Sequence, residues 1–184
     1  MTQVATAGAE GAPASLRNYY LVRALVAATW VAAAFTIGRA MPLAGILLVA
    51  YPAWDAAANY ADAARSGGLR RNRTQAINVL VSAVTALAVF AVIGDMRAVL
   101  AVFGLWATLA GLLQLATGVR RWKSQGAQWA MILSGAQSAL AGGFFIVQSR
   151  GGPVPDIARI APYAAFGAFY FLVSALWLTV RRSR

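Results

Sequence analysis

Sixteen lysines and arginines occur in 184 residues, and nearly all of them stay out of six long apolar stretches. They gather in alternate gaps between those stretches and at both chain ends. Arg17 and Arg23, the run Arg65, Arg70, Arg71 and Arg73, the run Arg120, Arg121 and Lys123, and the end Arg181, Arg182 and Arg184 make twelve on one side. Arg39, Arg97, Arg150 and Arg159 make four on the other. Cytoplasmic loops of membrane proteins carry the excess of basic residues, so this alternation orients a six-span chain with both termini inside. The expectation is an all-α polytopic protein of a bacterial inner (cytoplasmic) membrane.

Composition agrees. Apolar residues make up 60% of the chain and charged ones 11%, against about 25% charged in an ordinary soluble domain. Each stretch is about 20 residues, which at 1.5 Å rise spans a hydrocarbon core of about 30 Å. The net charge of +11 is then an orientation signal facing anionic lipid headgroups. Nucleic acid is not an expected partner, because no soluble domain is left to carry it.

The spans read as about 19–37, 42–64, 74–93, 97–119, 127–147 and 157–180, within one domain over 18–184, preceded by a disordered tail at 1–17. Pro42 suits a first helical turn, and Asn72 with Gln75 has the spacing of a capping box. The gaps after the first and third spans are about four residues, which divides the chain into three helical hairpins. Small residues recur seven apart in the even spans, at Ala50 and Ala57, Gly104 and Gly111, Gly167 and Ser174, a weak threefold repeat. Tyr19, Tyr20, Tyr60, Trp122, Trp129 and Trp177 fall near the inner interface, where amphipathic rings are favoured.

The chain has no cysteine and no histidine. Thiolate chemistry, disulfides, Cys/His zinc sites and histidine acid–base catalysis are excluded by inventory. No phosphate-binding loop, dinucleotide fingerprint or zinc-protease signature occurs. The expectation is a protein that is not an enzyme and needs no cofactor.

Two constellations remain. Gly135, Ala139 and Gly143 stand at four-residue spacing in the fifth span, where small residues let helices approach closely. Such a seam serves either a homo-oligomer or, the preferred reading here, a contact within the chain. In the second span Tyr51, Asp55, Asn59 and Asp62 share one helical face. Asp55 lies about 10 Å inside the membrane edge, where a carboxylate is costly and faces the bundle interior with a partner. Arg23, inside the first span, sits at matching depth. An Arg23–Asp55 salt bridge is expected, with Asn59 and Tyr51 adding hydrogen bonds. The preferred reading is a clasp fixing the register of two helices; the functional alternative is a proton or cation site. Asn78, Ser82, Thr85, Gln114 and Gln137 are milder polar residues, expected to bond between helices.

The run GLWATLAGLLQLATGVRRWKSQGAQWAMILSGAQSALAGGFFIV, from Gly104, resembles the HdeD-like family of short-repeat bacterial membrane proteins. The likeness rests on Gly111, the basic loop Arg120–Lys123, Trp129 and the small residues Gly135 to Gly143. It implies six spans in repeated pairs and a non-enzymatic role in envelope or acid-stress tolerance. It brings no catalytic or binding residues with it. The stretch YPAWDAAANYAD around Asp55 departs from the family pattern. The alternative function is a small transporter or channel for protons or another small solute, using the polar face around Asp55.

Overall fold

A computed structural model of the chain describes residues 6–38, 40, 42–120 and 128–182. Six helices account for most of them: α1 (Thr6–Thr36), α2 (Leu43–Arg65), α3 (Arg73–Ala91), α4 (Met96–Arg120), α5 (Gln128–Ser149) and α6 (Ala161–Arg182), with a turn of 3-10 helix at Ile157–Arg159. No strand occurs among the described residues. Arg39, Arg121, Trp122, Lys123 and Arg184, which contribute to the charge and aromatic patterns, lie outside them.

Five stretches are long and apolar enough to cross a membrane: Ser15–Thr36, Arg73–Ala91, Met96–Val119, Met131–Ser149 and Ile157–Val180. α2 is comparable in length, at 23 residues or about 34 Å. Its second half carries Asp55, Asn59 and Asp62, which lower its hydropathy. The exposed surface is studded with large apolar side chains such as Leu80, Leu87, Phe90, Leu140 and Val147. In water that pattern is a liability; against hydrocarbon it is a fitting one.

Two local expectations meet a different structure. Of the stretch 1–17, expected as a disordered tail, residues 6–17 are helical and form the start of α1, while residues 1–5 lie outside the described residues. Alanines at 7, 9, 12 and 14 are the strongest helix formers, and a helix nucleated downstream extends cheaply. The capping box at Asn72 does not form. Asn72 is the N-cap of α3 without a side-chain cap bond; its amide instead donates to the carbonyls of Ser66 (2.8 Å) and Gly68 (3.0 Å). Those carbonyls belong to the end of α2, where Gly67 takes φ +95° and Gly68 N–H bonds back to Ala63 O at 2.7 Å. This is a Schellman stop, and its left-handed residue calls for glycine.

The closest packing between helices does not follow the short gaps. α4 packs most extensively against α5, α1 against α6, and α2 against α3, while α1 and α2 touch little and α5 and α6 least of all successive pairs. Short loops bring helix ends together, but close packing follows side-chain size. Gly104 and Gly111 of α4 lie against Gly142 and Gly135 of α5, so closely that a Cβ on Gly111 would stand 2.5 Å from Ala139 N. The core between the helices is aromatic and aliphatic, with Phe103, Leu48, Leu100 and Val99 fully buried. Trp30, Tyr51 and Trp106 stack in sequence through it, with centroids 4.8 and 5.9 Å apart.

Candidate functional site

Arg23 of α1 and Asp55 of α2 form a salt bridge through Nη2 and Oδ1, the one ion pair among the described residues. Their side chains are 12% and 19% exposed. Both sit in helices where an unpaired charge would be expensive, and helical rise from a shared end brings them to one depth. A second tie lies deeper, where Trp30 Nε1 donates to Leu47 O at 2.7 Å. Seven residues separate the two ties on α1 and eight on α2, as antiparallel neighbours require.

The rest of the guanidinium is held too. Nη1 donates to the Tyr19 hydroxyl at 2.9 Å, one turn back along α1. Its carbon lies 4.3 Å from the Phe171 ring centroid of α6, within the range of a cation–π contact. Arg23 Nε is buried without a hydrogen-bond partner. Tyr20 stacks on the same Phe171, centroids 6.2 Å apart. Tyr19 and Tyr20 therefore pack inward, whereas Tyr60, Trp129 and Trp177 stand about half exposed as interfacial rings do.

Asp55 Oδ2 faces the other way. It accepts from Asn59 Nδ2 at 2.9 Å and from Ser82 Oγ of α3 at 2.7 Å. Ser82 in turn accepts from Trp106 Nε1 of α4 at 3.0 Å. Three helices thus meet at one carboxylate, and a fourth reaches it through Ser82. Asn59 was expected in this cluster; Ser82 was expected only as general interhelical glue, and Trp106 was missed. The signal for Ser82 was its place on the face shared with Asn78 and Thr85. Thr85 spends its hydroxyl on its own helix, at Val81 O. Tyr51 makes no hydrogen bond to the pair; its buried ring packs between Trp30 and Trp106. Asp62, about two turns nearer the helix end, accepts from Gln75 of α3.

The small-residue seam is intramolecular. Gly135 meets Gly111 O and Leu115 N, and Ala139 lies against Gly111. Gly143 is not part of it and faces open space, while its neighbour Gly142 meets Gly104 O and Thr108. The face runs Gly135 to Gly142, a step of seven matching Gly104 and Gly111 on α4, rather than steps of four. Seven residues are two turns less about 20°, so both faces stay in register across the crossing.

The pair lines a cavity of about 1380 Å³. Arg23, Tyr51, Asp55 and Asn59 form one wall, and Gln114, Ser134, Gln137 and Tyr170 lie among the residues of the others. At the end where α2 turns into α3, Arg70, Arg71 and Arg73 border it. Among the described residues no three His, Cys, Asp or Glu side chains converge as a metal site would need. What the geometry offers is a polar, positively rimmed space beside one fixed ion pair. No protein-family model, curated protein or solved structure matches the chain.

Proposed function

We propose that this chain is a small, non-enzymatic transporter or channel of a bacterial inner membrane, with the cavity beside Asp55 as its solute path. The chain crosses six times, α2 being the sixth span, and both termini lie in the cytoplasm. The twelve-to-four division of basic residues supports that orientation. α2 tolerates Asp55 and Asn59 because its polar face turns to the cavity and to α3, not to lipid.

One observation carries the reading. The Arg23–Asp55 pair stands on the wall of a 1380 Å³ space, not in a contact sealed by packing on every side. Intramembrane charges that face such a space mark ion and substrate paths.

Purified protein in liposomes with an entrapped pH dye tests it. An imposed gradient should dissipate faster with wild type than in empty vesicles, and Asp55→Asn should abolish the difference. Equal leak from wild-type and empty vesicles sinks proton movement along this path.

A second reading has its own support. Asp55 has donors on both oxygens, from Arg23, Asn59 and Ser82, as a purely structural clasp would. In that reading the chain is a non-enzymatic protein of the HdeD-like type, supporting envelope or acid-stress tolerance. It predicts that Asp55→Asn lowers stability while no flux of any kind depends on the residue.

A further inference from the structure

The cavity lacks a complete protein wall. α5 borders it from Trp129 through Gln137 to Gln148, and α6 from Pro162 through Tyr170 to Trp177. The three- and four-residue steps between their lining residues place them on one face of each helix, so the two helices flank the space along nearly their whole lengths. The other helices border only part of it: α1 from Leu16 to Ala27, α2 from Tyr51 to Ser66, α4 from Trp106 to Thr117. Near the α2–α3 turn the space is therefore bordered by several helices, while farther along it continues as a groove between α5 and α6. Two polar contacts bridge that groove, Ser138 Oγ with Tyr163 OH at 3.1 Å and Tyr170 OH to Gln137 Oε1 at 2.8 Å. At its edges Phe144 and Phe166 are 59% and 52% exposed.

In a bilayer that seam opens on hydrocarbon. A wholly polar solute lodged there would face lipid chains without hydrogen-bond partners, which costs several kcal/mol per group. The occupant is amphipathic. Its volume allowance exceeds the roughly 300–1,000 Å³ of ordinary small-molecule sites. Its charge follows from the end at the α2–α3 turn. Arg70, Arg71 and Arg73 line that end and none is paired with a carboxylate among the described residues. Asp62 beside them is engaged by Gln75, and Asp55 by Arg23. Guanidinium groups match phosphate oxygens in charge and fork geometry.

We infer that the cavity takes an anionic phospholipid sideways from the bilayer, its phosphate among Arg70, Arg71 and Arg73 and an acyl chain along the α5–α6 groove. This rests on the transport reading and names the class of its substrate.

Native mass spectrometry of the full chain, supplied with phosphatidylglycerol or phosphatidylcholine of identical chains, tests it. Wild type should retain phosphatidylglycerol about tenfold or more over phosphatidylcholine, and the triple change R70Q/R71Q/R73Q should remove that preference. Ala141→Trp, which fills the groove, should release both lipids; if that variant does not fold, Gly167→Leu narrows the cavity from α6 toward Tyr51 instead. Equal retention of the two lipids, or a preference that survives the triple change, overturns the inference. So does full displacement by glycerol phosphate alone, which would mean that the site reads a free headgroup and no chain. Phosphatidylglycerol retention without any Asp55-dependent flux supports the lipid site and sinks proton transport. Flux without that retention does the reverse.

Discussion

Arg23 on α1 and Asp55 on α2 join two helices that otherwise touch little. The pair is thus both a structural tie and a charged element of the cavity wall. Removing one partner leaves the other charge unpaired on the cavity wall, at a cost of up to about 3–5 kcal/mol. Arg23→Gln and Asp55→Asn should each destabilise the protein in detergent by that order. The double variant should be less destabilised than the sum, because neither residual charge remains. Denaturant unfolding followed by tryptophan fluorescence measures all three, and strict additivity would show that the two side chains do not interact.

Ser82 is a relay between Trp106 and Asp55, accepting from one and donating to the other. Ser82→Ala should cost about 1–3 kcal/mol, since it orphans the buried indole N–H as well as one carboxylate lone pair. Trp106→Phe in the Ser82→Ala background should cost less than it does alone. A double-mutant cycle on the same unfolding signal reads the coupling.

Two neighbouring glycines should respond with opposite sign. A Cβ on Gly142 would sit 2.5 Å from Gly104 O and Thr108 N, backbone atoms that cannot yield without separating α4 from α5. Gly142→Ala should destabilise by about 1–3 kcal/mol through overpacking. Gly143 has no atom within 4 Å of the same position, so Gly143→Ala should stabilise by up to about 1 kcal/mol through helix propensity. Thermal unfolding of the two single variants decides it.

The ion pair and Asn59 were legible in the sequence because charge in an apolar helix is expensive and helical rise is regular. Arg23 and Asp55 could be set at one depth by counting alone. Ser82 and Trp106 could not be joined to them, because that requires knowing which helices pack together. The short gaps favoured α1 against α2 and α3 against α4; the close contacts are α2–α3, α4–α5 and α1–α6. The clue lay in glycine spacing. Gly104 and Gly111 step by seven, and only Gly135 and Gly142 on α5 match that step, so Gly143 was one residue off the face. Tyr51 shares the polar face of α2, but its ring packs between Trp30 and Trp106, which could be foreseen only by knowing that α4 comes beside α1 and α2.

In the proposed transport path, Asp55 and Arg23 face a space that water reaches from the side of the basic loops when no lipid occupies it. The chain contains no cysteine, so a single thiol at Ser134, which lines the cavity, reports on that space alone. A membrane-impermeant maleimide should label Ser134→Cys in inside-out vesicles and not in right-side-out cells, with full labelling of both after denaturation. Labelling only after denaturation would mean that water does not reach Ser134 and would rule out an open path beside Asp55.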